Sequence, residues 1–164
     1  MNTSMSTDMS MGMGKERIIA IVSRFEGALV VAPAAGDDFP ELTWGDAFFY
    51  YAPDGRMPQK VQPYATVVTK NYPADDASVL DAPDRHRLNI HVDRTTFRDL
   101  TGEDPRTLTL PRDQTATDTV LPHPVHGAQG WIAIVNPARR SAGLVSRLLR
   151  DAHEAARARS VRRG

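Results

Sequence analysis

Residues 130–158 read GWIAIVNPARRSAGLVSRLLRDAHEAARA. A short apolar run, Gly130–Val135, is closed by Asn136-Pro137 and followed by a helical pattern. In that pattern Leu144, Val145, Leu148, Leu149, Ala152, Ala155 and Ala156 form one continuous apolar stripe, with Arg140, Arg147, Arg150 and Arg157 off it. The stretch is a strand feeding the strongest helix in the chain. Asn136 is the expected N-cap, with Pro137 at the first helical position, where a missing N–H costs nothing.

Moving upstream, Arg87–Val92 alternates, with Leu88, Ile90 and Val92 on one face and Arg87, Asn89 and His91 on the other. That is the pattern of an antiparallel strand with one face in the core and one open to water. Asp93 caps a short helix, Arg94–Leu100, that stops at Gly102. Asp46–Tyr51 is an aromatic strand ended by the turn Pro53-Asp54-Gly55, and Tyr64–Lys70 is its partner after an irregular link. Ala28–Ala32, stopped by Pro33, reads as an edge strand. Before it, Ile18, Ile19, Ile21, Val22 and Phe25 make one helical face that ends at Gly27. Glu103–Asp118 is polar and without period, hence a loop. Strands that follow one another without long helical crossovers pair antiparallel. The expected fold class is therefore α+β, a single domain in which an antiparallel β-sheet is packed on one face by the N-terminal and the long C-terminal helices.

With 164 residues, 41% of them hydrophobic, the chain can bury one core without a disulfide or metal. The absence of Cys excludes disulfide frameworks, thiolate metal sites and thiol nucleophiles. No apolar run approaches the roughly 18 residues of a membrane span, so no membrane partner and a cytoplasmic location are expected. The formal charges, 20 basic against 20 acidic, cancel, but residues 139–164 hold eight Arg against Asp151 and Glu154. Five Met lie among the first 13 residues without periodicity. The expected organisation is a disordered leader over 1–14, the domain over 15–158 and a basic, frayed tail over 159–164.

Three places carry candidate chemistry. The first is the open sheet face, where Lys70, Arg87, Asn89 and His91 bring two cations, an amide and an imidazole together. Arg and Lys offer the donors a small anionic ligand needs. The second is Pro122-His123-Pro124-Val125-His126-Gly127. Its prolines forbid a helix, and an extended segment would send the two rings to opposite faces, so no metal site is expected. Trp131, beside Gly130, is placed to line a pocket near the same rim. The third is the basic end, where Arg157, Arg159, Arg162 and Arg163 could meet nucleic-acid phosphates or simply oppose the helix dipole. No Gly-rich phosphate loop, nucleophile elbow or metal-binding helix is present, so no cofactor is expected.

Several stretches taken together carry a resemblance. They are Gly45-Asp46-Ala47-Phe48-Phe49-Tyr50, Pro53-Asp54-Gly55-Arg56, Ala65–Lys70, Arg87-Leu88-Asn89-Ile90, His123-Pro124-Val125-His126 and Gly130-Trp131 with Asn136-Pro137. In this order they resemble a family of small, mostly actinobacterial proteins known only as a domain of unknown function. The closing pattern is also similar to the MmcQ/YjbR-like group of α+β domains, a likeness that implies the same architecture and, by analogy, DNA binding. In place of that group's aromatic residue after His-Pro-Val, this chain has His126.

The residues themselves favour a non-enzymatic binding module on the open sheet face. The alternatives are an enzyme for a small anionic substrate with His91 or His123 as general base, nucleic-acid binding, and a homodimer through an exposed face bearing Phe49 or Tyr51.

Overall fold

The computed structural model describes residues 12–163. Helix α1 spans Lys15–Ser23, followed by strands β1 (Ala28–Val31), β2 (Ala47–Tyr51), β3 (Ala65–Val68) and β4 (Arg87–His91). Helix α2 (Arg94–Thr101), β5 (Leu121–Pro122), β6 (Trp131–Val135) and α3 (Ala142–Arg163) complete the chain. The six strands form one antiparallel sheet in the order β1-β2-β3-β4-β6-β5, so β1 is indeed an edge. This is the α+β architecture expected. No helix among the described residues is long and apolar enough to cross a membrane.

Register decides which side chains meet. Ala65 pairs with Ile90 and Ile90 with Ile132, while Val67 pairs with Leu88 and Leu88 with Ile134. These rows face the helices, where Ile18 and Val22 of α1, Phe97 of α2 and Val145, Leu148 and Leu149 of α3 close the main core with Phe49. His153 of α3 is buried in that layer. Its ring lies 5.1 Å from Phe25 and 5.4 Å from both Tyr51 and Tyr64. The Tyr64 hydroxyl donates to Nδ1 at 2.9 Å, and Nε2–H donates to Glu26 O at 2.8 Å. Phe49 is thus buried beneath the helices and Tyr51 half-buried against His153, so Phe49 is not on the exposed face through which a homodimer was expected.

Four boundaries differ from the sequence reading. Residues 1–11 of the expected leader lie outside the described residues, but the domain starts before Lys15: Met13 is buried in the core and its N–H donates to Pro137 O at 2.8 Å. At the other end α3 runs to Arg163, so residues 159–163 continue the helix where a frayed tail was expected. Within the loop predicted for Glu103–Asp118, Pro105–Thr107 forms one turn of 3-10 helix, capped by the Asp104 side chain, which accepts from Arg106 N–H. Asn136 does not cap α3. It sits at φ 47°, with its side-chain oxygen accepting from His86 N–H (2.9 Å) and its amide donating to Asp84 O (2.9 Å). The approach to α3 is held by Asp118, whose carboxylate accepts from the backbone of Ala138, Arg140 and Ser141 and from the Ser141 hydroxyl. The expected cap of α2 holds: Asp93 accepts from Thr96 N–H at 2.7 Å, and Gly102 closes the helix in the left-handed conformation.

Candidate functional site

The sheet face away from α1 and α3 is covered in part by the long connection between β3 and β4. Val68, Leu80 and Val135 form a second small core there with Tyr72 against it. Asn71 closes the connection on itself, accepting from Leu80 N–H (2.8 Å), while its own N–H donates to Asp81 (3.0 Å). Asp46 anchors its start, and this is where Lys70 goes. The buried Asp46 carboxylate accepts from Thr69 N–H and O–H, from Lys70 Nζ at 3.0 Å and from the Tyr72 hydroxyl. Lys70 also donates to Trp44 O at 2.8 Å. It is a structural anchor outside the site predicted for it.

Arg87 and Asn89 are 1% and 2% exposed, a correction to the open face their alternation implied. The reason is Asp75, delivered from the covering loop. It takes Arg87 Nη1 at 2.9 Å and Nη2 at 2.6 Å in a two-pronged ion pair, and Ser78 Oγ accepts from Nη1 at 3.0 Å. Burial pushes the Asp75 carboxyl up, but the hydrogen bonds and charge of Arg87 overcome this and hold it below the usual carboxylate range. Arg87 Nε donates to Asn89 Oδ1 (2.8 Å), and Asn89 Nδ2 donates to Thr66 Oγ1 (3.0 Å), the residue opposite it in the register. Both cations invoked for an anionic ligand are thus already paired.

The His123–His126 segment folds into a turn that the extended reading missed. His123 Nδ1 accepts from the backbone N–H of Val125 and of His126, each at 3.0 Å, and this turn brings the two rings to 5.0 Å at a 36° tilt. Nε2, the other ring nitrogen, faces the Arg87 guanidinium. That nitrogen lies 3.2 Å from Arg87 Nη2 and 3.9 Å from Asp75 Oδ2. Burial, then the charge of Arg87, lower the His123 pKa to about 3, so the ring is neutral at pH 7. Gly130 ends the following single turn of 3-10 helix at φ 92°, where a Cβ would stand 3.1 Å from Val92 O and 3.3 Å from the His91 ring. Glycine is what lets β6 start against β4 here.

Together these residues border a two-lobed cleft. One lobe, about 380 Å³, is lined by Gln62, Thr66, Asn89, His123, His126 and Trp131 among others. The second, about 370 Å³, lies towards Tyr72, Asp75 and Arg87 and shares Thr66, Asn89, His123 and His126 with the first. Five predicted residues therefore converge: Arg87, Asn89, His123, His126 and Trp131. His91 does not join them. Its Nε2–H donates to Gln129 O (3.0 Å) and its ring lies 5.6 Å from Trp131, while it borders a separate cavity of about 120 Å³ with Arg159. Burial and the Arg159 charge, against the Gln129 bond, lower its pKa. The predicted cationic tail also divides: Arg157 pairs with Glu154 (3.0 Å), Arg159 is half-buried beside His91, and Arg162 and Arg163 are exposed in the last turn. Sequence reading missed Asp75, Tyr72 and Ser78. No local pattern marks a carboxylate whose partner is 12 residues away.

What fold and site define is a small α+β domain with a polar cleft on the helix-free face of its sheet. The chain belongs to a family of unknown function (DUF6194), whose model matches residues 11–164. No curated protein and no solved structure matches it.

Proposed function

We propose that this protein is a binding module for a small polar ligand that seats in the two-lobed cleft. One observation carries the reading. Two lobes of about 380 and 370 Å³ meet along Thr66, Asn89, His123 and His126, and the Thr66 hydroxyl and the Asn89 amide each keep a hydrogen to offer there. Buried donors are normally satisfied, and one left open where a cavity begins is suited to a ligand's acceptor atom. The surroundings support the same reading. Arg87, Asp75, Asn89 and Thr66 are locked to one another, so the floor is preorganised, which reduces what binding must spend on ordering side chains.

General-base catalysis by His123 has less support, because its Nδ1 lone pair is engaged by two backbone amides and its pKa of about 3 makes it a weak base near neutrality. Nucleic-acid binding by likeness to MmcQ/YjbR domains rests on Arg162 and Arg163, with Arg157 paired to Glu154 and Arg159 half-buried beside His91.

The test is a thermal-shift screen of a chemically diverse small-molecule set against the wild-type protein, Trp131→Ala and His126→Ala. Compounds that stabilise the wild type should lose that effect in both variants. Hits that stabilise all three proteins equally would move the site elsewhere.

A further inference from the structure

Resting on that reading of the cleft, the geometry points to a planar, uncharged heterocycle with a ring carbonyl, the size of a nucleobase, as the class of ligand it takes. Charge comes first. The cleft's guanidinium is engaged by Asp75, Ser78 and Asn89, so among the described residues the lobe offers no unpaired Lys or Arg to a carboxylate or phosphate. An anion would enter beside Asp75 with no compensating charge. An uncharged ligand meets no such penalty.

Donor arrangement comes second. Asn89 Nδ2 gives one hydrogen to Thr66 Oγ1 and keeps another; Thr66, having accepted that bond, keeps its own hydroxyl hydrogen. These are two neutral donors side by side on the cleft floor, suited to a carbonyl oxygen. The amide side chains of Gln62 and Gln129 border the same lobe, and an amide can pair with the N–H and C=O edge of a lactam ring.

Shape comes third. Two aromatic side chains line the lobe, each backed by another ring: Trp131 by His91 at 5.6 Å and His126 by His123 at 5.0 Å. Braced rings present fixed faces on which a flat ligand stacks. A lobe of about 380 Å³ is in the range of small-molecule sites and admits one or two fused rings.

The experiment uses Trp44→Phe protein, which leaves Trp131 as its one indole, titrated with uracil, hypoxanthine, 5,6-dihydrouracil, benzoate and inorganic phosphate. Uracil or hypoxanthine should quench the indole emission saturably. Thr66→Val in the same background, its fold checked by circular dichroism, should weaken that binding about tenfold. Benzoate and phosphate should leave the emission unchanged, and dihydrouracil, with its puckered ring, should bind more weakly than uracil. Benzoate or phosphate binding better than the heterocycles overturns the charge argument, and dihydrouracil matching uracil overturns planarity. If none of the heterocycles binds while some screened compound still depends on Trp131 and His126, the ligand class is wrong and the cleft stands. If no compound depends on those residues, the cleft reading itself falls.

Discussion

Replacing Asp75 with Ala leaves Arg87 buried with its two charged contacts, at 2.9 and 2.6 Å, gone. What remains around the guanidinium is neutral: Asn89 Oδ1, Ser78 Oγ and the His123 ring. Removing one partner of a buried ion pair costs about 3–5 kcal/mol, because the other charge stays behind without compensation. The Asp75 side chain is 16% exposed, so water reaches the vacated place, and the low end, about 3 kcal/mol, is expected. For a domain of this size each kcal/mol moves the melting midpoint by about 2–4 °C, giving a fall of roughly 6–12 °C. The double variant Asp75→Ala/Arg87→Met should recover most of that loss, since it removes the stranded charge and keeps an apolar stem of similar length. Scanning calorimetry on the wild type, both single variants and the double variant measures the cycle. A cost for Asp75→Ala under about 1 kcal/mol, the value of an exposed pair, would refute the claim that the pair is sealed under the loop. A double variant no more stable than Asp75→Ala would show that something other than charge compensation holds the loop to the sheet.

Three further outcomes follow from the same contacts. His123 titrates at about 3 when folded, against about 6.5 when free, so the unfolded chain takes up the proton first; the His123 contribution is complete above about pH 6.5 and is lost as pH falls from there towards 3, at up to about 1.4 kcal/mol per pH unit. Urea unfolding at pH 7 and pH 4.5 should therefore show a steeper loss in the wild type than in His123→Asn. Asp118→Ala should cost about 1–2 kcal/mol by urea unfolding and speed exchange of the Ala138 and Arg140 amides leading into α3, because these N–H groups lose their acceptor. Lys70→Met should lower stability through Asp46 yet leave the affinity of any cleft ligand within about twofold, and calorimetric titration showing a loss as large as that of Trp131→Ala would return Lys70 to the site.

The strands and helices were legible because their signals are local. Leu88, Ile90 and Val92 alternate, Phe97 and Leu100 sit three apart behind Asp93, and the α3 stripe repeats over several turns. His153 was legible in principle too, since it continues the row of Leu149 one turn on, but imidazole polarity hides a residue whose hydrogen bonds come from Tyr64 and Glu26. The status of the second sheet face was not legible. Alternation in 87–92 has the same appearance whether water or a folded loop covers Arg87 and Asn89, and the deciding partner, Asp75, lies in a connection with no period. The cap of α3 escaped for the same reason: Asp118 precedes Ala138 by 20 residues, whereas the adjacent Asn136-Pro137 matched the local rule. The His123 turn escaped because its stabilising bonds run from backbone amides to an imidazole nitrogen, a pairing for which residue spacing carries no signature.

The central claim, that the helix-free sheet face holds the binding site, is tested most directly by mapping backbone and side-chain amide shifts in solution as a screened ligand is added. Shifts concentrated at Thr66, the Asn89 side-chain amide, His126, Gln129 and Trp131 are the predicted result. Shifts concentrated instead around the cavity of about 840 Å³ bordered by Lys15, Arg17, Asp81, Arg85 and His86 would contradict it.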